Sequence, residues 1–211
     1  MDFNTVIGTT TRKVERGLRN GNPTHIIRAE RFFATPPDDL WAAITQPENL
    51  KQWFAEVSGA LELNGDFSVK NNASGKILEC EPPGRLALTW KFGEVESWVT
   101  VEIKDENGGA LMSLEHESPT DEKSEAHWKS YGPGATGLGW ELGLLGLAAH
   151  LLNPNEPLLK AVEEWAGQND GKSVLRQWAA AWGQAHISAG EPAQTAEEAA
   201  DRTAAFYTGE A

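Results

Sequence analysis

The chain has 211 residues, of which 31 are acidic and 18 basic, giving a formal charge of −13. That length suits one domain or one domain with an appendage, and a 40% hydrophobic share allows a packed core. The acidity argues against a duplex-binding surface, which needs clustered Lys and Arg, and the single cysteine, Cys80, excludes an internal disulfide and a multi-cysteine zinc site.

The charge is uneven. Residues 1–105 carry 12 basic and 15 acidic side chains, whereas residues 106–211 carry 6 and 16. Met1 to Thr5 lack the basic-then-apolar pattern of a signal peptide, and the most apolar run, Leu142 to Leu152, is shorter than a membrane span. A cytoplasmic protein with no membrane and no nucleic-acid partner is expected.

Residues 5–17 and 24–34 read as two extended runs around a turn at Arg19 to Pro23. The second run places Ile27, Ala29, Arg31 and Phe33 on one face. Thr35, Pro36, Asp38 and Asp39 then mark a helix start, continued by Leu40, Trp41 and Ile44. Pro47 opens a second short helix carrying Leu50, Trp53 and Phe54. From Ala60 the period becomes two: Leu61, Leu63, Phe67 and Val69 around Asn64-Gly65, a hairpin or bulge signal, then Gly75 to Glu81, Leu86 to Phe92, Val99 to Ile103, and Ala110 to His116. Short strands joined by short turns predict an antiparallel meander. Residues 118–135 read as a polar loop.

Residues 136–152 are helical. Leu138, Leu142, Leu145, Ala149 and Leu152 form one stripe, and Trp140, Leu144, Leu147 and Leu151 lie opposite. A helix apolar on opposed sides needs cover on both, so the Ala- and Glu-rich helical stretches at 155–168, 171–188 and 193–207 are predicted to pack on it. A third stripe holds Gly139, Gly143, Gly146 and His150. Glycine costs about 1 kcal/mol relative to alanine inside a helix. It therefore signals either close approach of another backbone or space left for a ligand.

Several segments in this order carry a resemblance: Arg31 to Pro36, Leu40 to Leu50, Trp53-Phe54, Gly75 to Leu86, Thr89-Trp90, His116 at a strand end, and Gly139-Trp140 early in the last helix. Together, over about residues 24–152, they look like the START-like, helix-grip superfamily. Within it they resemble the heat-shock chaperone ATPase activator homologue branch, which includes proteins labelled polyketide cyclase. The resemblance implies an α+β fold in which a curved antiparallel sheet wraps a long helix, with a cavity between them. The expected organisation is a helix-grip domain at 1–152, including an N-terminal hairpin, and a helical extension at 153–211.

The function the resemblance implies is binding of a small apolar or amphipathic molecule. A cyclase- or hydrolase-type enzyme on an aromatic or polyketide-like substrate, and a chaperone-cofactor module, are the alternatives. The candidate ligand-binding residues are His116, Arg31, Trp90, Met112, Trp128, Tyr131, Gly139 and Gly143. His116 shares a strand face with Met112 and Leu114 and could act as an acid or base near neutral pH, or be a structural histidine. Arg31 could hold an anionic oxygen, or pair with a carboxylate such as Glu79. Glu141 reads as a solvated edge residue or, alternatively, a pocket acid. The five histidines are dispersed, so no metal site and no cofactor are expected. A homodimer or a chaperone partner is left open.

Overall fold

A computed structural model describes residues 2–60 and 62–210. After a short 3₁₀ turn at Phe3–Val6 come strands β1 (Thr10–Arg19) and β2 (Asn22–Phe33), then helices α1 (Pro37–Thr45) and α2 (Pro47–Trp53). Six strands follow: β3 (Val57–Gly59), β4 (Asp66–Val69), β5 (Ser74–Glu81), β6 (Arg85–Phe92), β7 (Val95–Glu106) and β8 (Gly109–Pro119). Helices α3 (Glu122–Tyr131), α4 (Gly134–Leu152), α5 (Leu159–Ala166), α6 (Asn169–Ser188) and α7 (Ala193–Thr208) complete the chain.

All eight strands form one antiparallel sheet in the order β1-β2-β8-β7-β6-β5-β4-β3. The fold is α+β and of the helix-grip type. Strands β3 to β8 are the meander expected from the alternating pattern. The long-range step is β2 against β8, which sets Ile27 opposite His116. On the other side of β8, Val99 of β7 also faces His116. The Asn64-Gly65 signal is the turn of the β3–β4 hairpin, where Asn64 takes a positive φ of 65° and Val57 pairs with Val69. Leu61, assigned to the run from Ala60 to Val69, lies outside the described residues.

The polar stretch at 118–135 is not a loop. Asp121 caps a helix there, its carboxylate accepting from the Ser124 amide at 2.9 Å, and Gly132 ends it at φ 60°. No residue of α3 is fully buried, which is why its polarity resembled a loop. The apolar helix is also longer than its most apolar run. Helix α4 has 19 residues and a mean hydropathy of 1.2, enough by length and composition to cross a membrane. Here it is a core helix: Leu138, Leu145, Leu147 and Ala149 have no exposed surface.

One side of α4 looks under the sheet, and another meets α6. A Cβ on Gly137 would run into the Trp182 indole of α6, so glycine permits that approach. Beside it Glu141, read from sequence as a solvated edge residue, is 1% exposed. Its carboxylate accepts from Arg12 Nε of β1 at 2.8 Å, from Arg12 Nη2 at 2.5 Å and from Trp182 Nε1 at 2.7 Å. Burial pushes this carboxyl up, and the Arg12 guanidinium and the indole N–H pull it back. Strand β1, helix α4 and helix α6 thus meet at one carboxylate.

Replacing Glu141 by Leu would leave the part-buried Arg12 guanidinium with the Thr10 carbonyl but without its carboxylate, and is expected to cost about 3 kcal/mol in chemical denaturation. Adding Arg12→Leu should recover part of that loss, since a buried pair replaced by apolar groups is often neutral. A single variant as stable as the parent would show that the carboxylate does not tie these elements together.

Candidate functional site

Two cavities flank the sheet side of α4. The first, of about 490 Å³, lies between α1, α2, the sheet and α4. Trp41, Trp53 and Phe54 wall it from the helical segment, Leu86, Leu88 and Trp90 from β6, and Met112 and Leu114 from β8. Trp140, Gly143 and Leu144 close it from α4, and Cys80 borders it from β5. Among the described residues, no charged side chain lines it.

The glycine stripe serves both purposes that its sequence suggested, at different positions. A Cβ on Gly146 would lie 2.9 Å from the Trp53 carbonyl oxygen, so this residue lets α2 approach α4. A Cβ on Gly143 would meet nothing closer than Trp53 Cζ3 at 4.0 Å, so this residue leaves room. His150, at the end of the stripe, is buried with Nδ1 unpartnered, and burial lowers its pKa.

The second cavity, of about 570 Å³, lies under α3, the β6–β7 turn and the start of α4. It shares Phe54, Trp90 and Trp140 with the first. These rings touch mutually, with centroids 6.4 Å apart for Phe54 and Trp90, 6.5 Å for Phe54 and Trp140, and 5.4 Å for Trp90 and Trp140. They form the wall between the cavities.

A buried hydrogen-bond chain sets one of these rings. Trp140 Nε1–H donates to His116 Nδ1 at 3.0 Å. An indole nitrogen only donates, so Nδ1 bears no proton and the neutral imidazole carries its hydrogen on Nε2. Nε2 lies 2.8 Å from Ser97 Oγ and donates to it, and the Ser97 hydroxyl donates to the Trp90 carbonyl at 2.9 Å. Burial lowers the His116 pKa to about 4. Both ring nitrogens are engaged and the group is neutral at pH 7, so the acid–base role considered for it does not fit; it positions Trp140.

Of the other candidates, Trp90 borders both cavities, Met112 and Gly143 the first, and Trp128 and Gly139 the second. Arg31 lines neither. Its Nη2 donates to the Val6 carbonyl at 2.5 Å, its guanidinium lies 5.2 Å from the Phe33 ring, and burial lowers its pKa to about 10. Glu79, its suggested partner, pairs instead with Arg85. Tyr131 also lines neither cavity: its carbonyl accepts from Thr203, and its ring packs by Phe206. Phe54, Trp140 and Ser97 were not singled out as site residues. Only the helical position of Trp140, opposite the Leu138 stripe, hinted at its place.

The family model described as "Activator of Hsp90 ATPase homolog 1-like protein" matches residues 34–151. The chain belongs to this family. Among solved structures, CalU16 from Micromonospora echinospora is similar in crystal form at 27% identity and TM-score 0.62, over 82% of this chain and 98% of that one. Its solution structure matches at 26% identity and TM-score 0.67, over 86% and 97%. Residues 1–151 are less than three quarters of the chain, so the likeness reaches into the C-terminal helices. DynU16, a protein of the dynemicin biosynthetic locus, shares the fold at 22% identity and TM-score 0.54, over 63% of this chain and 48% of that one. No curated protein matches the chain.

Two outcomes separate these roles. Gly143→Ala should stabilise by about 1 kcal/mol, the helix-propensity difference, whereas Gly146→Ala should destabilise by about 1–3 kcal/mol through overpacking, as read by thermal unfolding. Because folding lowers the His116 pKa from 6.5 to about 4, its contribution is complete above pH 6.5 and is lost as pH falls through that window. At about 1.4 kcal/mol per pH unit this is about 3 kcal/mol at most. Nitrogen NMR at pH 5.5 should find the His116 ring neutral with hydrogen on Nε2; a charged ring would refute the chain of bonds.

Proposed function

We propose that this protein binds a small apolar or amphipathic molecule in the first cavity. One observation carries the reading: about 490 Å³ of uncharged space, walled by tryptophan, leucine and methionine, sits between sheet and long helix. Ligand sites of this size and composition are typically 300–1,000 Å³, largely apolar and preformed. Gly143 supports it, because an alanine there would meet no obstacle and glycine in a helix is otherwise a cost. Binding is favoured over cyclase- or hydrolase-type turnover because His116 is neutral and has both ring nitrogens engaged.

N-phenyl-1-naphthylamine, an uncharged fluorescent probe, is expected to bind saturably, one per chain, and to slow alkylation of the single cysteine, Cys80, by iodoacetamide. Gly143→Leu should fill the space and weaken the probe by about tenfold or more. Absence of saturable fluorescence together with unchanged Cys80 alkylation would overturn the proposal.

A further inference from the structure

Helix α3 covers the second cavity from outside, and little holds it down. None of its residues is fully buried, whereas α4 and α7, which also border the cavity, each bury a row of side chains. Ser124, Glu125, Trp128 and Tyr131 are half-buried, one stripe at helical spacing, and the rest of the helix is exposed. A segment with so few buried contacts opens at low free-energy cost.

Its fastenings differ between the ends and the middle. Both ends are tethered. Ahead of α3 the Thr120 hydroxyl donates to the Pro23 carbonyl at 2.9 Å. At its far end the Ser130 and Tyr131 carbonyls accept from Arg202 Nε at 2.6 Å and from the Thr203 hydroxyl at 2.7 Å. Gly132 follows with φ 60°, backbone freedom that suits a pivot. Between the ends, side-chain contacts along the cavity wall hold the helix. Trp128 is wedged between two histidines, its ring stacked on His25 at 4.0 Å and edge-on to His186 at 5.4 Å. Glu125 lies 2.6 Å from His25 Nε2, and Lys123 pairs with Glu94 in the β6–β7 turn. Trp128, His25 and Lys123 all line the cavity. Lys123 and Glu94 are largely exposed and Glu125 is partly so, and ion pairs in such settings contribute little and weaken with salt.

We infer that α3 is a lid on the second cavity. It turns about its tethered ends, drawing Trp128 out from between His25 and His186 and parting Lys123 from Glu94, and so opens the space of about 570 Å³ beneath it. Lifting it unpacks no fully buried residue of its own, so the sheet, α4 and α7 keep their places. The touching Phe54, Trp90 and Trp140 rings close the inner side. The lid therefore serves this cavity and not the first, and it is independent of any ligand there.

The test places a thiol under the lid of the full chain: Thr136→Cys, on the cavity wall, with Cys80→Ser, so that N-ethylmaleimide has one target. Ser118→Cys, on the strand side of the same wall, is a second reporter where the first does not fold. Alkylation of either should be at least about tenfold slower than in the unfolded chain. Raising salt from about 0.1 M to about 1 M cuts the Debye length from about 10 Å to about 3 Å, and should speed alkylation about threefold. Glu94→Ala with Glu125→Ala should speed it about fivefold at low salt and remove the salt effect. Amide exchange, read by mass spectrometry, should rise in α3 in the same proportion and stay unchanged in α4 and α7. Alkylation of the reporter as fast as in the unfolded chain would show an open cavity with no lid. An unchanged rate in high salt and in the double variant, or exchange rising equally in α4 and α7, would also overturn the inference.

Discussion

Helix α4 has almost no polar surface to offer water, and that is the constraint on which the rest of the structure depends. Its 19 residues contain one carboxylate, one imidazole and one hydroxyl, and only Leu152 at its end is a largely exposed leucine. A helix of this kind must be covered all round. A sheet can cover only part of its circumference. The remainder falls to α1 and α2 on one flank and to α5, α6 and α7 on the other, all of which contact it. Where cover is complete, glycine brings the partner close, as at Gly137 under Trp182 and Gly146 under Trp53. Where it is incomplete, at Gly139 and Gly143, the cavities remain.

The polar groups that must enter this apolar setting are placed in closed sets. Glu141 meets Arg12 and the Trp182 indole, and His116 meets Trp140 and Ser97. A buried polar group costs little only when its partners are present. Each set also joins elements far apart in sequence. The first fixes α6 against β1 and α4; the second fixes the Trp140 ring in the wall between the cavities. A histidine held neutral by burial suits this second task, because a proton on Nδ1 would break the bond from Trp140.

The sheet, the long helix and the helices after it were legible because each has a strong period or a strong stop: alternating Leu86, Leu88 and Trp90, the two leucine stripes of α4, Gly190 before Pro192. Helix α3 was not, because its buried contacts are few. It is held by a cap, by His25 stacked on Trp128 at 4.0 Å and by the carbonyls of Ser130 and Tyr131, which accept from α7. None of these leaves a periodic trace. The candidate site was legible by strand face and helix stripe. Trp90, Met112 and Gly143 reach the first cavity that way, whereas the face shared with Ile27 and Phe33 left the direction of Arg31 open. It could not say that the space near Arg31 is filled by the N-terminal turn. Nor could it foresee that His116 spends both nitrogens internally, since that depends on a ring 24 residues away on another element.

The acidity fits the same arrangement. Most of the surplus lies after residue 105, in α3 and in the helices that form the outer cover, where charged faces meet solvent. The cavity walls exclude carboxylates among the described residues, although α3 and α7, which help enclose the second cavity, are rich in Glu and Asp. Ser124 and Trp128 of α3 and Tyr207 of α7 border it, and Lys123, at the same rim, is largely exposed and paired with Glu94. The extension after residue 152 has a second task beside carrying charge: Tyr207 of α7 donates to the Ala135 carbonyl and closes the second cavity at the start of α4.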